Sequence, residues 1–257
     1  MSFPAIRISG VSKRFTIRDD GYAGIKGKLG RLLKGEKPSY KIVTALDDVT
    51  LDIQAGETVA LIGRNGSGKS TLLSLVANVM KPDAGSVTFP RSADPAHPRI
   101  APLLEVGAGF HPDLTGYQNI VFNGAILGLS RAEMDARRPE ILAFADFEDP
   151  SYYAAPVRTY SNGMFVRLGF AVAVHTDPEI VLVDETLAVG DEVFQRKCLD
   201  KIREFQREGR TIVLVSHDMD AVRAVATRAV WLHHARVAAD GPPEGVIEAY
   251  HREFQIP

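Results

Sequence analysis

Apolar positions along the chain switch between a period near two and a period near 3.6, and the switches mark the elements. Residues 5–9 and 46–53 read as short strands, the second with Leu46, Val49, Leu51 and Ile53 as its apolar positions. Ala55-Gly56 makes a turn, and Thr58-Val59-Ala60-Leu61-Ile62 is a buried strand that runs straight into a glycine-rich loop. Apolar residues at 72, 73, 75, 76, 79 and 80 predict a helix over 71–80, stopped by Lys81-Pro82. Residues 86–89 predict another strand, and Pro90, Pro95, Pro98 and Pro102 mark an irregular surface link.

Further on, residues 130–147 are helical in pattern, with Ser130 as N-cap and Glu133 three residues later. A second helix is expected from about 161 to 175, ending before Asp177-Pro178. Residues 180–183 form a core strand, 191–208 a helix ended by Gly209, and 211–215 another core strand. Strands alternating with helices predict an α/β fold with a mostly parallel sheet covered on both faces.

Composition narrows the class without naming it. At 257 residues and formal charge −2, the chain has material for one large domain and no global field toward nucleic acid or membrane. Its one cysteine, Cys198, cannot form an internal disulfide and suits a reducing compartment. No signal peptide is visible, and the apolar stretches 170–174 and 180–183 are far short of the ~20 residues that span a membrane. A soluble, cytoplasmic protein is expected.

The chemistry sits at strand ends. Gly63, Arg64, Asn65, Gly66, Ser67, Gly68, Lys69, Ser70 and Thr71 fit the phosphate-binding pattern G-x-x-x-x-G-K-[ST], with strand before and helix after. Such glycines let backbone N–H groups wrap phosphates at a helix N-terminus. Lys69 would reach the β- and γ-phosphates, and the Ser70 hydroxyl would ligate Mg²⁺. The strand 180–183 delivers Asp184 and Glu185 to the mouth of the sheet, Asp184 for the Mg²⁺ shell and Glu185 to orient the attacking water. Taken alone, that pair also suits the cap of the next helix. His217, after the strand 211–215, is placed to donate to a γ-phosphate, although a histidine there taken by itself more often caps or packs. The other histidines show no metal-ligand spacing, and without a cysteine pair zinc is not expected.

Together with Ser161, Asn162, Gly163 and Asp191, these residues resemble the ATP-binding cassette (ABC) ATPases over nearly the whole chain. Tyr160-Ser161-Asn162-Gly163-Met164 stands where that family has its Leu-Ser-Gly-Gly-Gln signature, and residues 184–191 match its segment from the magnesium aspartate to the D-loop aspartate. The Tyr-Ser-Asn-Gly-Met spelling, the run 104–110 (Leu-Glu-Val-Gly-Ala-Gly-Phe) and 187–191 look like one branch, the ATPase subunits that export lipid-linked polysaccharides such as O-antigen, capsule, teichoic acid or galactan.

The resemblance implies a single P-loop NTPase domain over 1–257, with a mostly parallel core sheet, an antiparallel β subdomain and a helical signature subdomain over about 103–178. It marks residues 16–42 as a basic insertion with seven basic against three acidic residues, a net of +4. Ile25, Leu29, Leu32 and Leu33 fall there at helical spacing, which suits either anionic lipid headgroups or a loop folded onto the domain. Some relatives append a carbohydrate-binding domain; the chain ends at Pro257, and none is expected.

In this family ATP is clamped between the phosphate loop of one cassette and the signature of another. One copy of each implies half of a homodimeric ATPase, with Ser161 and Gly163 facing the partner's nucleotide and ATP and Mg²⁺ as cofactors. It also implies a separate membrane-spanning permease, a lipid-linked glycan reached through it, a peripheral place at the cytoplasmic membrane face, and no nucleic acid. Phe15 matches the adenine-stacking aromatic, with Tyr40 as the alternative, and Glu105 or Val106 stands where the family has its Q-loop glutamine, Glu105 being favoured. The rival function is a soluble ABC ATPase acting on nucleic acid or ribosomes.

Overall fold

The structure is a computed structural model and describes residues 3–18, 40–94, 98–103, 106–184 and 191–255. Six strands form the main sheet in the order β5-β6-β7-β3-β8-β9: β5 (Ile100–Leu103), β6 (Ile180–Val183), β7 (Thr211–Val215), β3 (Thr58–Ile62), β8 (Arg228–His233) and β9 (Arg236–Gly241). All pair in parallel except β9, which returns antiparallel to β8. A separate antiparallel sheet holds β2 (Tyr40–Ile53), β1 (Ile6–Arg18) and β4 (Ala84–Thr88) in the order β2-β1-β4.

Strand periodicity explains how the two layers share one core. Val59, Leu61, Ile180, Leu182, Val213, Val215, Val230 and Leu232 point to the side where β1, β2 and α1 (Lys69–Val76) pack. The intervening Ala60, Ile62, Val181, Val183, Ile212, Leu214, Ala229 and Trp231 point to the opposite side, against α5 (Glu192–Arg207) and α7 (Pro243–Phe254). Sheet residues buried on both faces read as unbroken apolar runs, which is why 58–62, 180–183 and 211–215 were visible as strands. A third cluster, Ile120, Met134, Ile141, Leu168, Ala171 and Val172, joins α2 (Gly116–Ile126), α3 (Arg131–Ala145) and α4 (Asn162–Val174) into a helical layer. Among the described residues no helix is long and apolar enough to cross a membrane.

Several boundaries differ from the sequence expectation for identifiable reasons. Ser130 and Glu133 form the expected capping box of α3. The helix after the glycine-rich loop is shorter than 71–80 because Asn78 turns left-handed at φ 56°. The link after Pro90 contains β5, where Pro102 is tolerated because β5 is the sheet's edge. Residues 16–18 and 40–42 continue a β1–β2 ladder in which Thr16 faces Ile42 and Arg18 faces Tyr40, so both ends of the basic insertion are strand. The rest of the insertion, 19–39, lies outside the described residues. The sequence reading had no counterpart for β5, α2, α6 (Met219–Val225), β8, β9 or α7.

Candidate functional site

The carboxyl ends of parallel strands are where open α/β sheets bind ligands, and β3, β7 and β6 lie side by side there. The loop 63–68 leaves β3 under tight steric constraint. Gly63 has φ 144°, and a Cβ on it would lie 2.3 Å from the Leu232 carbonyl oxygen and 2.7 Å from Ser67 Oγ. Only glycine fits between the loop and β8. The loop ends at Gly68, which caps α1 in a left-handed conformation with no side-chain hydrogen bond, so the opening amides of α1 have no side-chain partner at the cap. Ser67 Oγ is buried with no hydrogen-bond partner among the described residues. Uncapped amides at a helix start and an orphaned hydroxyl fit a loop built around an anion.

Lys69 is buried and folds back over this loop, donating from Nζ to the Gly63 oxygen at 2.7 Å and the Arg64 oxygen at 3.1 Å. Burial lowers its pKa, against the opposing pull of the Asp184 carboxylate. Asp184 shows the converse: burial raises its pKa, while Lys69 and His217 act to lower it. His217 is pushed down by burial and by the Lys69 charge. The three side chains therefore share one electrostatic field, although they come from three different strand ends. Gly68, Lys69, Ser70, Thr71 and His217 line a cleft of about 270 Å³. The Ser70 hydroxyl and the Asp184 carboxylate are hard oxygen donors of the kind Mg²⁺ takes, and a cation would favour the ionised Asp184 that burial disfavours.

The raised Asp184 pKa carries a stability prediction. Its ionised form is penalised in the folded state, so the penalty develops as pH rises through the raised pKa and is absent in acid. Asp184→Asn is expected to melt at a higher temperature than the parent at pH 8 without nucleotide or metal, with the gap closing toward pH 3. A lower melting temperature at pH 8 would show that the carboxylate stabilises the empty site.

A larger cleft of about 690 Å³ opens beside the loop, where Arg64, Asn65, Gly66, Ser67 and His217 face His233, His234 and Phe254. The last three were missed by sequence reasoning, which treated the histidines only as lacking metal-ligand spacing. Phe15 lies on β1 opposite Val43, partly exposed, with Lys13 Nζ 5.8 Å from its ring centroid. Neither Phe15 nor the exposed Tyr40 lines either cleft. Glu105 and Glu185 lie outside the described residues.

The 160–164 motif occupies a different place. Ser161 is the N-cap of α4, accepting from the Met164 N–H at 3.2 Å, and Asn162 opens the helix. Ser161, Gly163 and Asp191 line a cleft of about 360 Å³ that shares no lining residue with the two at the phosphate loop. Asp191 caps α5 by accepting from the Phe194 N–H at 2.9 Å, and it pairs with Arg167 one turn into α4. Tyr160 is held by the helical layer: its hydroxyl donates to the Tyr152 oxygen at 2.9 Å and accepts from the Gly116 amide, and burial pushes the phenol up to about 12. Its ring meets Phe147 edge-on at 5.4 Å. Tyr160→Phe keeps the ring but strands two backbone groups, at a cost of about 1–2 kcal/mol. Thermal melting should register this as a drop of a few degrees; an unchanged melting temperature would show that water replaces the hydroxyl.

Comparison with known proteins agrees with this geometry. The ABC transporter family profile matches residues 46–188. The chain is 44% identical over 252 residues to the ABC transporter protein AbcA of Aeromonas salmonicida, covering 98% of this chain and 77% of that protein. It is 43% identical over 253 residues to the O-antigen export system ATP-binding protein RfbB of Klebsiella pneumoniae, covering 96% and 97%. Its fold matches the dimeric, post-hydrolysis ATP-binding cassette MJ0796 bound to ADP and Pi, with TM-score 0.68 and 23% identity over 93% of this chain and 98% of that one. By profile, relatives and fold, this chain belongs to the ABC transporter family, as an ATP-binding cassette with ATPase function.

Proposed function

We propose that the protein is the ATP-hydrolysing subunit of an exporter that carries a lipid-linked cell-surface polysaccharide across the cytoplasmic membrane, acting as a homodimer bound to a separate permease. The observation that supports the dimer is the division of the site: the phosphate loop and the 160–164 motif line clefts with no residue in common. Each chain thus carries two half-sites, and a second copy supplies what the first lacks. The similarity to RfbB, running nearly end to end in both chains, supports export of an O-antigen type of glycan.

The roles follow from chemistry at each half-site. The loop amides and Lys69 bind the phosphates, and Arg64, Asn65 and Gly66 form the exposed rim of that loop. Ser70 and Asp184 would hold Mg²⁺, which would supply positive charge against the phosphates. Glu185 orients water, and His217 donates to the γ-phosphate in its neutral form, which burial and Lys69 favour. Ser161, Asn162 and the Gly163 amide at the start of α4 meet the partner's γ-phosphate, where the helix dipole favours an anion. Asp191 links this motif to α5 through Arg167. Phe15, with Tyr40 as the alternative, is assigned to adenine, and Glu105 takes the sequence position of the family's Q-loop glutamine. Loss of the γ-phosphate removes the shared anion and opens the dimer.

Detergent extraction tests the reading. The protein is expected to co-purify with a six-helix membrane protein encoded beside it, and its deletion to leave lipid-linked glycan on the cytoplasmic side. Association with ribosomes or nucleic acid instead would overturn the exporter assignment.

A further inference from the structure

The phosphate loop touches an element that no part of the nucleotide chemistry requires, the last turn of the C-terminal helix. Helix α7 packs on β8 through Val246, Ile247 and Tyr250, and Tyr250 stands edge-on to Trp231 at 5.7 Å. Its final residue, Phe254, is fixed among rings: Tyr250 at 5.0 Å, His233 at 5.5 Å and Trp231 at 6.1 Å. Over its ring lies the Arg64 guanidinium, with its carbon 5.3 Å from the ring centroid. Arg64 is the second residue of the phosphate loop. Its carbonyl accepts from Lys69 Nζ and from the Ser67 amide, both at 3.1 Å. On the loop's other shoulder, Gly63 lies against the Leu232 carbonyl of β8. The loop that holds Lys69 is therefore gripped on both shoulders by the β8–α7 unit.

The geometry points to Phe254 as a positioning residue for nucleotide binding: its ring parks the Arg64 guanidinium beside the phosphate site, and the C-terminal helix thereby tunes affinity for ATP. The physical route has two parts. A guanidinium held in one place keeps its charge near the anion without the rotamer cost a free arginine would incur on binding. A fixed Arg64 also fixes the carbonyl on which Lys69 rests. This rests on the reading of 63–71 as the nucleotide loop.

A cation over a ring needs a π face, and a packing role needs only apolar volume; the experiment separates the two. Binding of a fluorescent methylanthraniloyl-ATP with Mg²⁺ is titrated against the full chain and its variants. Phe254→Leu keeps bulk but loses the face, and should weaken binding roughly threefold, as for a half-exposed cation–π contact. Phe254→Trp should bind as tightly as the parent or tighter. Arg64→Gln should weaken binding to a similar degree, and Phe254 substitutions made on that background should change nothing further. Parent-like binding by Phe254→Leu, or effects that multiply in the double variants, would overturn the proposal while leaving the nucleotide reading intact. Failure of the parent chain to bind would overturn the nucleotide reading and this proposal with it. Should Phe254→Leu melt early, the pair Phe254→Trp and Phe254→Trp with Arg64→Gln carries the same comparison.

Discussion

Lys69→Met is expected to reduce ATP hydrolysis by about a hundredfold to a thousandfold, the usual cost of losing one preorganised charge at a phosphoryl site. The methionine nearly matches lysine in length, so the loop keeps its shape while the ammonium disappears. In the structure that ammonium is desolvated, and burial already depresses its pKa. Two backbone carbonyls at 2.7 and 3.1 Å are its only hydrogen-bond acceptors among the described residues. A phosphate oxygen offers what those neutral acceptors cannot, a full counter-charge in a partly dehydrated site. The fold should not depend on it, because replacing a buried charge by an apolar side chain of similar volume is often neutral or stabilising. Steady-state ATPase assays beside a thermal melt provide the check. Hydrolysis near the parental rate would remove Lys69 from the site; a collapsed melting temperature would make it a folding residue.

Gly169→Ala is expected to be the most damaging single methyl in the helical layer. A Cβ at Gly169 would lie 2.5 Å from the Gly107 nitrogen, 2.8 Å from its Cα and 3.0 Å from Val106 Cγ1. The segment that follows β5 therefore lies directly on the backbone of α4, and a Cβ on Gly107 would in turn lie 2.4 Å from the Phe165 ring, one turn earlier on that helix. The added methyl has to push backbone rather than a flexible side chain, so overpacking should cost about 1–3 kcal/mol or more. For a chain of this size each kcal/mol lowers the melting temperature by roughly 2–4 °C. ATPase activity should fall with it, because α4 carries Ser161 at its start and the displaced segment begins just after Glu105. Gly169→Ser with the parental melting temperature would show that the approach is looser than this.

These two residues also show what the sequence does and does not disclose. Lys69 was legible because its neighbours in the chain are its neighbours in space: strand, loop and helix follow one another. Asp184 and His217 were legible for a related reason, since each ends an apolar run and parallel strands present their ends together. Gly107 could be read only as part of a branch-specific spelling, and Gly169 not at all, because their reason is a contact between segments far apart in the chain. The same holds for Tyr160, whose hydroxyl satisfies groups on a 3₁₀ turn and on α2. Helix α2 escaped notice because its sequence, Gly-Tyr-Gln-Asn-Ile-Val-Phe-Asn-Gly-Ala-Ile, mixes poor helix formers with an indistinct apolar stripe, although Thr115 and Gln118 give it a capping box. Phe254 gave no signal at all: a phenylalanine near the end of an amphipathic helix is ordinary until its ring is seen under Arg64.

The edge strand β5 bears on how the protein behaves in crowded solution. A sheet ends in a row of free amides and carbonyls that can recruit a strand from another molecule. Here that end is only four residues long, and one of them, Pro102, has no amide to offer. Uncontrolled strand-to-strand polymerisation has little to grip at this margin.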